Sequence, residues 1–285
     1  MPREVRERTL ALIRGEFDPP PVRDATTVVL VPEGAPLRTY LMRRAMTMAF
    51  APGMWVFPGG RVDARDQEVP IVGEVSSDRM TAPSLDVARG LVAGAARELF
   101  EETSILLAVD ESGAVPREGP HWEADRAAVA SGEVPFAHFL RDRGLRIDAS
   151  ALCMWTHWVT PEMETRRYDV RFFVARVPVG QQVRDVSGEA DQTGWFTAQQ
   201  ALQSYGRGSM PMLPPTVTTL ADIAALGDAT DVLDVAPTRE IRPLMPRPRL
   251  VEGDQLAWDV VDVRDNSIVL SMAQEPAGSE VEGMS

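Results

Sequence analysis

The sequence predicts an α/β fold, and two observations carry that expectation. Short apolar runs rich in β-branched residues alternate with one long stretch of helical periodicity, and Gly and Pro punctuate the joins. The balance of 44% hydrophobic against 25% charged residues is that of an ordinary globular chain. At 285 residues, one large domain, or a domain of ~150 to 200 residues with additions, can bury a core without staples.

The elements follow in order. Ala25 to Val31 is a β-branched run stopped by Pro32 and Gly34, the pattern of a buried strand, and Leu37 to Met42 is expected to pair with it. Met54-Trp55-Val56-Phe57 is a second short strand, closed by Pro58-Gly59-Gly60, where glycine lets main chain approach a ligand. Gln67 to Ala82 is mixed and turn-prone. Ser84 then caps a helix expected from Leu85 to Leu107, in which Leu91, Ala95, Leu99 and Leu106 recur at helical spacing. Trp122 to Ala130 and Phe136 to Arg143 read as short helices, and Leu152 to Val159 and Val170 to Val177 as core strands flanking the charged connection Thr160 to Asp169. Trp195-Phe196 is a short strand, Thr197 caps a helix through Leu202, and Pro214-Pro215 opens another to about Leu226. Pro237 to Pro248 reads as extended, Leu250 to Leu270 as containing a hairpin, and the acidic end from Gln274 as loose.

Composition excludes several kinds of chemistry. The formal charge of -13 disfavours a nucleic acid polymer or an anionic membrane as partner. All 29 basic residues are Arg, which removes a Lys Schiff base and a P-loop Lys. Cys153 is the single cysteine and reads as a small apolar packing residue, so intramolecular disulfides and Cys-rich zinc sites are excluded. His121, His138 and His157 are too scattered for a His-x-x-x-His metal motif. No apolar stretch reaches the ~18 residues of a membrane span and the start lacks a signal-peptide pattern, so the cytoplasm is the expected compartment.

Chemistry concentrates in Arg97-Glu98-Leu99-Phe100-Glu101-Glu102. Residues three and four apart share a helical face, so Glu98, Glu101 and Glu102 bring three carboxylates together while Leu99 turns to the core. Carboxylates at those spacings repel, and a divalent cation such as Mg²⁺ or Mn²⁺ converts repulsion into ligation. Arg97 is suited to orient a carboxylate or to meet a phosphate. Upstream stands Gly59-Gly60-Arg61-Val62-Asp63-Ala64-Arg65-Asp66, a glycine turn followed by carboxylates, directly after an apolar strand.

Strand, glycine turn and acidic helix together resemble the Nudix hydrolase family. Its box reads Gly, five residues, Glu, seven residues, Arg-Glu, an aliphatic, any residue, Glu-Glu, any residue, Gly, an aliphatic. Gly60 takes the first glycine, Asp66 stands at the first Glu, and Arg97, Glu98, Leu99, Glu101, Glu102 and Ile105 fit the second half. Ser104 replaces the last Gly, and residues 67–96 put 30 positions where the family has seven. This interrupted box, with Trp158-Val159-Thr160-Pro161, Arg166-Arg167-Tyr168-Asp169, Phe172 to Ala175 and Pro214-Pro215-Thr216, is similar to the branch that includes a peroxisomal coenzyme A diphosphatase and its bacterial relatives.

The resemblance implies an α/β/α sandwich with a mixed sheet over residues 22–226, preceded by a segment at 1–21 and followed by an extension at 227–285. It implies hydrolysis of a nucleoside diphosphate conjugate, with coenzyme A or acyl-coenzyme A first among substrates. Alternatives are ADP-ribose, dinucleotides or oxidised nucleotides, or a catalytically silent nucleotide sensor; a homodimer is compatible with any of them. Metals held by Glu98, Glu101 and Glu102 would bind the pyrophosphate oxygens. A glutamate outside the box often completes the site, and Glu189, six residues before Trp195, leads Glu162 and Glu164 for that place. Gly59, Gly60, Arg166 and Arg167 are the expected substrate contacts. Trp55, Trp155 and Trp158 read as core rather than base-stacking residues. The insertion is expected beside the cleft, outside the sheet, and Glu123 outside the site.

Overall fold

The computed structural model describes residues 3–48, 50–119, 121–184, 188, 190–251 and 255–272. In chain order the elements are α1 (Arg3–Ile13), β1 (Val22–Val31), β2 (Thr39–Arg44), β3 (Trp55–Val56), β4 (Gly59–Arg61), β5 (Ile71–Val72), α2 (Leu85–Thr103), β6 (Ala108–Val109), α3 (Trp122–Ala130) and α4 (Phe136–Asp142). There follow β7 (Arg146–Asp148), β8 (Cys153–Val159), β9 (Arg167–Arg176), β10 (Ala190–Phe196), α5 (Ala198–Gly206), α6 (Pro214–Ala224), α7 (Ala229–Val235), β11 (Pro243–Val251), β12 (Gln255–Asp262) and β13 (Ile268–Met272). The chain is α/β with mixed sheets, as the alternation of apolar runs and helical periodicity predicts. It divides into a larger unit, Asp24–Thr156 with Val170–Ile241, and a smaller one, Met1–Arg23, His157–Asp169 and Arg242–Ser285.

In the larger unit β1 lies between β9 and β4. The β1–β4 pair is antiparallel with Thr26 opposite Gly60 and Thr27 opposite Gly59, so the glycine turn is itself an edge strand. A second sheet sets β2 between β10 and β3, both antiparallel. The segment expected to pair with β1 therefore pairs elsewhere, and side chains explain why. Tyr40 of β2 meets Trp195 of β10 edge-on at 5.4 Å, a cross-strand aromatic contact that β1 does not offer, and Trp55 of β3 meets Phe196 of β10 at 5.4 Å.

The insertion is built into the larger unit. Its β5 runs parallel to β7 in a third sheet, β5-β7-β6, and Val69 and Met80 join the core. Fully buried Arg171 donates to the Met80 and Thr81 carbonyls at 3.2 and 3.0 Å and to Asp24 at 3.1 Å, which ties the returning limb of the insertion to β9.

Helix α2 starts where Ser84 predicts, its hydroxyl accepting from the Val87 N–H at 3.2 Å. It ends at Thr103, four residues short of the sequence expectation, because Ser104 adopts the left-handed conformation (φ 68°, ψ 4°). Ile105, Leu106 and Leu107 continue the apolar pattern as core residues off the helix, so periodicity alone overruns the boundary.

In the smaller unit β11 and β12 form an antiparallel pair from Leu244↔Asp262 to Val251↔Gln255, β13 pairs with β12, and β11 runs parallel to β8 at Pro243↔His157. Pro237 to Pro248 is thus not extended throughout: Ala236–Thr238 is a 3-10 turn and Pro243 opens a strand. The acidic end expected to be loose falls outside the described residues.

Candidate active site

The glycine turn and the last turns of α2 are pressed together. The Gly59 N–H donates to Glu102 Oε2 at 2.8 Å, and a Cβ at Gly60 would lie 2.5 Å from the Glu98 carboxyl atoms. Gly59 itself sits at φ 154° with the Thr26 carbonyl 2.2 Å from where a Cβ would stand, so no other residue fits there. Glu98, Glu101 and Glu102 share the face of α2 that meets this turn, while Leu99 is wholly buried.

Arg97 organises the acids. Its Nε and Nη2 donate to the two Asp66 oxygens at 2.8 and 3.0 Å, Nη2 also to the Arg61 carbonyl at 2.9 Å, and Nη1 to Glu98 at 2.9 Å and Glu101 at 3.3 Å. Asp66 is only 2% exposed and also accepts from the Asp63 N–H at 2.8 Å in a capping box. The insertion separates Asp66 from Arg97 by 30 residues in sequence, yet the two halves of the motif meet at one guanidinium. Burial pushes the Glu98 carboxyl up to about 7, opposed by the Arg97 charge and reinforced by Glu101. Burial also works against the Arg97 charge, but its hydrogen bonds to Asp66 and the charges of Glu98, Asp66 and Glu101 hold its pKa above the ordinary arginine value.

Among the described residues no three His, Cys, Asp or Glu side chains are already gathered as a cation cage. The donor chemistry nonetheless suits a hard divalent cation: oxygen donors on one helical face, a Glu98 carboxyl whose charge is disfavoured by burial and by Glu101, and bare main chain at Gly60 opposite them.

The other expected site residues have other surroundings. Arg167 begins β9 in the smaller unit and donates to the Thr160 carbonyl at 3.1 Å, the Pro20 carbonyl at 3.0 Å and the Met245 sulfur at 3.8 Å. Burial draws its pKa below the usual arginine value. Arg166 is exposed, and Glu162 and Glu164 are half-buried in the same unit, burial raising the Glu164 pKa. Glu189 lies outside the described residues. Trp55, Trp155 and Trp158 are buried, with the Arg239 guanidinium 4.1 Å over the Trp155 ring.

Two residues to which the sequence reading gives no part in the site hold the end of α2. Trp122 Nε1 donates to the Ser104 carbonyl at 3.0 Å and Arg126 Nη1 to the Glu101 carbonyl at 2.6 Å. Glu123, expected to stand apart, grips the Arg126 guanidinium at 2.6 to 3.1 Å. A Glu and an Arg three apart on a short helix look like a solvated surface pair, and nothing in the sequence signals that this arginine is buried.

The family profile described as the NUDT19 Nudix domain matches residues 73–223, more than half of the chain. The chain belongs to the Nudix family. Two relatives are each called acyl-coenzyme A diphosphatase NUDT19: one from Xenopus laevis, 25% identical over 61% of this chain and 56% of its own, and one from Homo sapiens, 28% identical over 69% of this chain and 64% of its own. The chain thus spans less than two thirds of the length of either relative. The crystal structure of a Nudix hydrolase from Alicyclobacillus acidocaldarius is similar at a TM-score of 0.64 and 27% identity, covering 75% of this chain and 96% of that one. The interrupted box thus keeps a Nudix-type α/β fold, and the profile begins inside the insertion, after the glycine turn.

Proposed function

We propose that the protein is a divalent-metal-dependent pyrophosphohydrolase acting on a nucleoside diphosphate conjugate, with coenzyme A and acyl-coenzyme A as its first substrates. The observation that carries this reading is the packing of Glu98 and Glu102 against the Gly59-Gly60 turn, with Asp66 joined to the same face through Arg97. The names of the two relatives point to the substrate class.

Glu98, Glu101 and Glu102 would hold a Mg²⁺ or Mn²⁺ ion, which when bound would supply Lewis-acid polarisation of phosphoryl oxygens. The protein's own part is orientation. Arg97 holds Glu98 and Asp66 in place, the Gly59 N–H fixes one Glu102 oxygen, and the bare main chain of Gly60 lets the Glu98 carboxyl pack directly against the turn. Glu189 remains the proposed carboxylate from outside the box.

Purified protein with Mg²⁺ or Mn²⁺, assayed on a panel of nucleotide conjugates with mass detection of both products, tests the reading. Coenzyme A yields 3',5'-ADP and phosphopantetheine, whereas ADP-ribose yields AMP and ribose 5-phosphate. Cleavage of ADP-ribose with no action on any coenzyme A derivative overturns the substrate class. Nucleotide binding with no turnover of any conjugate overturns the enzyme reading in favour of a sensor.

A further inference from the structure

The last turn of α2 carries its glutamates at the negative pole of the helix and has no basic residue of its own there. Its carbonyls are satisfied largely from a distance. Phe100 O accepts from the Ser104 N–H at 2.9 Å, Thr103 O from the Arg184 N–H at 3.0 Å, and Glu101 O from Arg126 Nη1 at 2.6 Å. Arg126 comes from α3, a segment outside the box, and is only 7% exposed. Glu123 takes its Nε and Nη2, which leaves Nη1 directed at the Glu101 carbonyl. An i,i+3 Arg–Glu pair on an open surface needs no such burial and contributes only a few tenths of a kcal/mol. Here the guanidinium is desolvated, which is favourable only if its partners are fixed and its charge is answered. The Glu123 carboxylate answers it on one side, and the negative helix end on the other.

We propose that Arg126 is a positioning residue for the carboxylate face. By binding the main chain of Glu101 and placing a positive charge at the crowded negative end of α2, it fixes the last turn so that Glu101 and Glu102 present their carboxylates to one divalent cation. Glu123 acts one step further out by holding the Arg126 fork. The proposal rests on the reading of α2 as the metal-binding face, and the test separates the two.

Mn²⁺ binding to the full chain, followed by electron paramagnetic resonance without substrate, is measured for the wild type, Glu102→Gln, Arg126→Met and Arg126→Lys, with circular dichroism to confirm folding. Supporting groups behind metal ligands typically contribute about 10-fold to 100-fold in affinity or activity, so Arg126→Met is expected to weaken Mn²⁺ binding by about that factor and to lower kcat with little change in KM. Arg126→Lys, which keeps the charge and a donor for the Glu101 carbonyl, restores most of the binding. If Arg126→Met does not fold, Arg126→Gln, which keeps a donor without the charge, is held to the same expectation. A folded Met or Gln variant that binds Mn²⁺ as tightly as the wild type overturns the role of Arg126. A wild type that binds Mn²⁺ no better than Glu102→Gln overturns the metal-face reading itself.

Discussion

At its first turn α2 is capped by its own neighbour, Ser84, whose hydroxyl accepts from the Val87 N–H three residues on. At its last turn the Ser104 N–H meets the Phe100 carbonyl locally, but the other partners are remote: Trp122 and Arg126 lie 18 and 25 residues from the carbonyls they bind, and Arg184 is further still. The first end forms from local sequence, whereas the second is completed only once α3 and Arg184 have packed. The carboxylates sit at the second end, where like charges and the helix dipole both oppose them. Their placement depends on the surrounding fold, and the carboxylate-bearing end is the less self-sufficient one.

Substitutions at the two ends should separate these roles, and the largest effect belongs to the acids themselves. Glu102→Gln keeps an acceptor for the Gly59 N–H but removes a charge, so the fold should persist. Turnover on the best substrate should fall about a thousandfold, the consequence of losing several kcal/mol of charge stabilisation. Hydrolysis rate at saturating Mg²⁺, compared with thermal stability, checks this; unchanged turnover would remove the box from the chemistry.

Phe100 tests the packing that supplies the remote caps. Its ring stacks on Phe139 at 5.2 Å and Phe136 at 6.1 Å and meets Trp122 edge-on at 5.7 Å, so it is the hinge between α2 and the α3–α4 pair. Phe100→Ala should destabilise the protein by about 3 to 5 kcal/mol, read from the urea midpoint. A loss below about 1 kcal/mol would mean that α3 and α4 hold their places without it.

The same contrast explains what the sequence made legible. Ser84, Thr197 and the Pro214 start are local signals, and each marks a helix start in the structure. The Glu98, Glu101 and Glu102 face was legible because three residues at fixed spacing on one helix need no knowledge of the rest. The pairing of Thr39–Arg44 with β10, far along the chain, was not, because cross-strand aromatic contacts leave no local trace. Nor was the end of α2, since Ile105 and Leu106 stay apolar and buried after the helix has stopped. Arg126 was hidden for a third reason: its i,i+3 partner makes it resemble a surface ion pair.

At the locally capped end Ser84→Ala should cost about 1 kcal/mol, the usual value for losing a side-chain N-cap. Its effect on kcat should be slight, because the first turn lies some five helical turns from Glu102, at about 1.5 Å per residue. A large kcat effect from this change would tie the far end of α2 to the chemistry and erase the distinction between the ends.

The smallest effect runs the other way. Ser104 stands where the family box has Gly, and the structure shows what that position requires: φ 68°, full burial, and a side-chain oxygen among those without a hydrogen-bond partner. A non-glycine residue in the left-handed region costs roughly 1 to 2 kcal/mol, and a buried hydroxyl without a partner adds to that. Glycine removes both penalties but makes the unfolded chain more flexible, which takes back about 0.5 to 1 kcal/mol. Ser104→Gly should therefore stabilise the protein, by about 0.5 to 1 kcal/mol, opposite in sign to Ser84→Ala. The two urea midpoints measured side by side decide it. If Ser104→Gly is destabilising instead, the serine side chain is held by an interaction that outweighs its strained backbone.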